Sequence, residues 1–185
     1  RQKGLTDCTN FISTALCLNG WNMKDKAMKS EGAPDNASLK NWYATPDERS
    51  ATWVNVDFFA AFTQQSERGV MQKFAKKDIP RLVENGTIRR GDIVVYGDPG
   101  IFHRSWRFFT LPPRLEKTHA MMVTKISGSK DVWCEAAANQ SRKGTDRVCV
   151  SYHSKDTRNA SLKMVMDKFG SQDFFLLRMN DTYYE

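Results

Sequence analysis

The sequence predicts an α+β fold in which N-terminal helices pack on an antiparallel sheet of about five strands. Three observations lead there. Apolar residues recur at helical spacing near the start of the chain. From about residue 80 onward, short β-rich apolar runs separated by turn residues take over. No linker-like composition shift marks a boundary between these halves, so residues 1–185 read as a single domain, long enough to bury a core of its own.

The first helix rests on Cys8, Phe11, Ile12, Ala15 and Leu16, which fall at offsets 0, 3, 4, 7 and 8 and so share one helical face. Thr6 or Asp7 can cap its start, and Gly20 is a natural stop. Residues 22–50 are polar, contain Gly32, Pro34 and Pro46, and read as a long irregular connection. A second helix is expected over residues 52–65, with Trp53, Val56, Phe59, Ala60 and Phe62 as its apolar positions. Strands are expected at Ile93–Tyr96, following Gly91 and Asp92, and at Ala120–Ile126, Val132–Ala137, Arg147–Tyr152 and Phe174–Met179. Between them, residues 97–117 form a long loop with Pro99, Pro112, Pro113 and three arginines. A loop of that length beside a site often shapes or gates it.

Composition narrows the function classes. A hydrophobic fraction of 40% with 11 Phe, 5 Trp and 5 Tyr belongs to a folding chain rather than a disordered one. No stretch approaches the roughly 18 uninterrupted apolar residues of a membrane span, and no signal peptide is visible. The chain opens on Arg1 and its first motif follows at once, which reads as a fragment of a longer protein. The net charge of +7 suits an anionic partner such as a cell-wall polymer, a membrane surface or nucleic acid, or serves solubility alone. The basic residues are scattered apart from Lys76-Lys77 and Arg89-Arg90, and no nucleic-acid motif accompanies them, so no specific nucleic-acid partner is expected.

Four cysteines are present, Cys8, Cys17, Cys134 and Cys149, without any C-x-x-C spacing. No metal or cofactor site is therefore expected. Cys8 stands in the first turn of the first helix. Unpartnered backbone N–H groups and the helix dipole favour an anion there, and a thiolate is the nucleophilic form of cysteine. The same N–H groups can stabilise the oxyanion of a tetrahedral intermediate. Cysteine is equally a common small core residue, and position alone does not choose between the two. Cys17 lies nine residues on, about 180° around the helix, and reads as structural. Cys134 and Cys149 sit on neighbouring strand candidates, where they can form a disulfide or remain two reduced buried thiols.

Of the three histidines, His119 starts an apolar strand. A base on the lip of a strand can face the N-terminus of a helix packed on that sheet. His153 closes the strand that begins near Arg147 and can hydrogen-bond the distal nitrogen of His119, fixing its tautomer. Asn139 and Glu135 are rivals for that orienting role, and His103, in the long loop, reads as a surface residue.

Five segments resemble a known family in the family's own order. Asp7 to Ser13 (DCTNFIS), with Ala15, Leu16, Asn19, Gly20 and Trp21, is similar to the DCTNFvSQal…GG signature of the putative amidase domain family, a relative of the NlpC-type and CHAP cysteine peptidases. Ser50 to Val56 (SATWVNV) is similar to its s-x-s-W-x-x-V helix start, and Ile88 to Tyr96 (IRRGDIVVY) to its l-x-x-G-D-l-i-y-y strand. Thr118 to Thr124 (THAMMVT) is similar to its H-s-x-i-V-t strand, and Val150 to Asn159 (VSYHSKDTRN) to its s-x-H-t-x-D-r-x-n end. The resemblance implies a papain-like fold, Cys8 as nucleophile, His119 as general base and His153 as third polar residue, with Asp156 in support. It implies amide hydrolysis on peptidoglycan peptides by a secreted or cell-envelope enzyme. Relatives of the fold also act as effectors or toxins on proteins, which implies an immunity or inhibitor protein as partner, and a non-catalytic binding module is a third use. The chain departs from the pattern at Thr14, where the family has Gln, and at Asn19, where it has Gly. A long insertion between His119 and His153 leaves Asn139 as a rival third residue.

Overall fold

The computed structural model describes residues 7–23, 41–46, 48–96, 119–127, 132–134, 144–152, 157–168, 170 and 173–180. In chain order these form α1 (Asp7–Leu18), α2 (Ala51–Val54), α3 (Val56–Gln65), β1 (Gly69–Ala75), a 3-10 turn (Lys76–Asp78), α4 (Ile79–Glu84), β2 (Ile93–Tyr96), β3 (His119–Ile126), β4 (Val132–Cys134), β5 (Gly144–Asp146), β6 (Val148–Tyr152), β7 (Thr157–Ser161), α5 (Leu162–Lys168) and β8 (Asp173–Met179). The architecture is α+β. An open, wholly antiparallel six-stranded sheet runs in the order β1-β8-β2-β3-β6-β7, and β4 and β5 form a separate two-stranded ribbon. None of the described helices is long and apolar enough to cross a membrane.

Strand alternation divides the core in two. Ile93, Val95, Ala120, Leu177 and Met179 face a layer built from α1, α2 and α3. Val94, Met121, Val123, Leu176 and Val150 face the opposite way, onto α4 and α5. The expected N-terminal helical layer is therefore present, and a second layer covers the other face.

Several elements differ from expectation for identifiable reasons. The second helix is two helices, because Asn55 turns extended (φ −118°, ψ 130°) and its side chain caps α3 by accepting from the N–H groups of Asp57 and Phe58. β1 lies in a stretch for which no element was expected. It is an edge strand whose residues do not alternate cleanly between buried and exposed, with Val70 55% exposed. It begins at a glycine because a Cβ on Gly69 would run into the carbonyl oxygen of Arg178 on β8. The short helices α4 and α5 were also missed. α4 has six residues with Pro80 in its first turn, and α5 has seven, too few in either for a helical period to stand out. β5 and β7 add two further strands, giving eight rather than about five.

The strands that flank the candidate site are pinned by the Gly91-Asp92 pair. Gly91 has φ 91°, a conformation glycine adopts without steric cost, and its N–H donates to Val123 O at 2.9 Å. The N–H of Val123 returns a bond to Asp92 O at 2.8 Å, which sets β2 against β3. The Asp92 carboxylate, 4% exposed, accepts from Arg178 Nη2 at 2.8 Å, from Arg178 Nε at 3.2 Å and from Arg89 N at 2.8 Å. It ties the entry to β2 onto β8.

Candidate active site

The site is built on the opening turns of α1. Cys8, Ile12 and Leu16 lie on one stripe and enter the core, while Thr9 and Ser13, one position around, are buried as well. The buried polar groups are spent on holding α1 in place. Ser13 Oγ donates to Trp53 O at 3.0 Å and accepts from Trp42 Nε1 at 3.2 Å. Trp53 Nε1 donates to Asn10 Oδ1 at 3.0 Å. Trp42 packs against Trp53 with ring centroids 4.7 Å apart and stacks on Phe62 at 6.2 Å. The buried Arg68 guanidinium lies over Trp21, Trp42 and Phe62 at 5.3, 5.8 and 5.6 Å. This cluster fixes the direction in which α1 presents its first turn.

Cys8 is the second residue of α1 and a free thiol, with Sγ 3.9 Å from Thr9 Oγ1. Its neighbourhood combines the positive end of the α1 dipole with an apolar surround. The residue is 1% exposed.

His119 is the first residue of β3, against which α1 packs. The register sets Tyr96, the last residue of β2, directly across from it. The two rings lie 5.8 Å apart at 71°, and the Tyr152 ring approaches His119 at 4.7 Å and 84°. Burial pushes the His119 imidazole down to about 4. It is therefore neutral at pH 7, the state in which an imidazole can accept a proton. Burial first, then Tyr152 and then Cys8, push the Tyr96 phenol far above the ordinary phenol range. Tyr96 thus lies within electrostatic reach of Cys8 and in ring contact with His119. Ala120 next to His119 shares the core of α1 with Cys8, whereas Tyr96 and Tyr152 belong to the core on the other face. Tyr96, His119 and Tyr152 lie together at one end of the central strands.

Sequence reasoning did not single out Tyr96 or Tyr152, because cross-strand neighbours depend on register. The only available signal was that each closes a strand next to the one His119 opens. Nor did it foresee the roles of Asn10, Ser13 and Trp42. His153, Asn139, Glu135, Asp156, His103 and the loop 97–117 lie outside the described residues. Cys17 is a free, partly buried thiol packed against the α1–α3 core, in keeping with a structural reading. Cys134 and Cys149 form a disulfide, with Cα atoms 5.4 Å apart. They do not face each other across one hairpin, since β4 pairs with β5, and the bridge links that ribbon to β6.

A family model described as a putative amidase domain matches residues 2–176. No curated protein and no solved structure matches the chain.

Proposed function

Because the chain belongs to the putative amidase domain family, whose description points to amide hydrolysis, we propose that it is a thiol-dependent amide hydrolase with Cys8 as nucleophile and His119 as general base. The observation that carries this reading is that a free thiol stands in the first turn of α1, and that α1 packs on the strand that opens with a buried, neutral imidazole. His119 takes the proton of Cys8, and the thiolate attacks the amide carbonyl carbon. The oxyanion rests on N–H groups of the helix start. His119 then protonates the leaving amine, and water releases the acid from the thioester and regenerates the thiol. His153, with Asp156 in support, is the third polar residue in this scheme, and Asn139 is its rival. In this reading the chain is a papain-like enzyme related to the NlpC and CHAP peptidases, with residues 1–185 as one domain.

The substrate in this reading is a peptide amide of peptidoglycan, and the net charge of +7 suits an anionic wall polymer. The Cys134–Cys149 disulfide suits an oxidising compartment, outside the cell or in its envelope. A muropeptide digestion assay with Cys8→Ala tests the proposal. Product release is expected to fall to background, and unchanged release removes the reading. A second reading keeps the site and replaces the substrate with an amide of a target protein, and with it brings an immunity or inhibitor protein as partner. The length and arginine content of residues 97–117 favour it as a specificity element. Mass spectrometry of protein targets and muropeptides incubated with the enzyme separates the two substrates.

A further inference from the structure

Three rings meet at one end of the central strands. His119 opens β3, Tyr96 closes β2 and Tyr152 closes β6. The imidazole stands at 71° to the Tyr96 ring and at 84° to the Tyr152 ring, with centroids 5.8 and 4.7 Å away. Near-perpendicular contacts are the favoured geometry for paired rings. Both tyrosines are buried, so neither can swing aside without disturbing the core around Val94, Met121 and Val150. A side chain held between two such rings loses the χ2 freedom that a surface histidine keeps.

A general base needs one ring nitrogen aimed at the proton it takes, and it needs to be neutral before it takes it. A histidine open to water titrates near pH 6.5 and rotates. We propose that Tyr96 and Tyr152 are positioning residues for His119, clamping its imidazole in one orientation and keeping water off the ring. The catalytic consequence of the clamp rests on the reading of His119 as base. The clamp itself is a property of the imidazole that can be measured without substrate. Among the described side chains, the titratable ones that the elements packed on β3 bring to this end are Tyr96 from β2, Tyr152 from β6 and Cys8 from α1. Burial is what lowers the imidazole, and the two tyrosine rings that touch it are part of that burial.

The test is an NMR titration of the His119 ring in the full chain, with the resonance assigned by its loss in His119→Gln. Tyr152→Phe and Tyr96→Phe keep a ring in place and are expected to leave the titration midpoint where the wild type has it. Tyr152→Ala opens one wall and is expected to raise the midpoint by about one pH unit or more, toward the ordinary value. In a hydrolysis assay the same variant is expected to lose about tenfold in kcat with little change in KM. A folded Tyr152→Ala that titrates like the wild type overturns the proposal. Should that variant not fold, exchange of the His119 ring N–H with water in the wild-type protein decides the matter. Exchange slowed at least about tenfold relative to free imidazole supports the clamp, and exchange at the free rate overturns it. If Cys8→Ala keeps full activity while the ring measurements come out as expected, the functional reading fails and the clamp stands. The reverse combination sinks the clamp alone.

Discussion

Trp53 on α2 donates its indole N–H to Oδ1 of Asn10 on α1 at 3.0 Å, and this bond ties two distant stretches of sequence into the wall behind the candidate nucleophile. Replacing Asn10 by Leu leaves a largely buried indole N–H without its acceptor, two residues from Cys8. The expected cost is roughly 1–3 kcal/mol of stability. Hydrolysis is expected to fall as well, because the first turn of α1 loses its anchor. Urea unfolding of Asn10→Leu beside Trp53→Phe, which removes the donor, checks the account. Trp53→Phe is expected to relieve part of the penalty in the double variant, and purely additive losses would argue that the bond contributes nothing.

The Asp92–Arg178 pair makes a different prediction. Asp92 is buried and Arg178 partly exposed, with two hydrogen bonds between them. Asp92→Ala removes two acceptors of the guanidinium, leaving its bond to Thr87 O, and removes the acceptor of the Arg89 N–H. A loss of roughly 2–4 kcal/mol is expected, set at the lower side for buried pairs because Arg178 reaches solvent. Chemical denaturation measures it. The activity per folded molecule is expected to stay near wild type, since Asp92 serves the strands and not the chemistry.

Acid stability follows from His119. Its folded value, about 4, lies below the 6.5 of an unfolded histidine. Between these values the unfolded chain binds the extra proton and the folded one does not, so stability rises with pH across this window. As pH falls, the penalty sets in near 6.5 and is complete below 4, amounting to roughly 3 kcal/mol. Thermal melts from pH 7 to 4 are expected to show a steeper decline for wild type than for His119→Gln. Parallel curves would show that this imidazole titrates alike in both states.

The disulfide gives a redox prediction. Cys134 and Cys149 are 15 residues apart in sequence, and closing a loop of that size stabilises by about 3 kcal/mol through the unfolded chain. Cys149→Ser, or reduction with dithiothreitol, is expected to lower the melting temperature by a corresponding amount. Because β6 also carries Tyr152, the reduced protein is expected to lose activity before it unfolds. A reductant titration followed by both assays distinguishes the two losses.

What could be read from the residues alone follows the physics of each element. α1 was legible because five apolar positions fall on one stripe and Gly20 ends it. β2, β3, β6 and β8 were legible because they are central strands rich in β-branched or aromatic residues. β1 was not, since an edge strand packs on one side and its pattern GVMQKFA lacks alternation. The break at Asn55 was hidden because the apolar spacing runs on across it and only the capping geometry reveals the interruption. In the site, Cys8 and His119 could be proposed from residue type and position. Their aromatic surround could not, because Tyr96 meets His119 through a ladder register and Tyr152 through a strand more than 25 residues further on.

The central claim, that Cys8 is the nucleophile and His119 its base, is tested most directly by timed alkylation with iodoacetamide, mapped by peptide mass spectrometry in wild type and His119→Ala. Cys8 is expected to be labelled ahead of the more exposed Cys17, and His119→Ala is expected to slow Cys8 at least about tenfold while leaving Cys17 unchanged. Labelling of Cys17 first, with Cys8 modified only in denaturant and at a rate indifferent to His119, would contradict the claim.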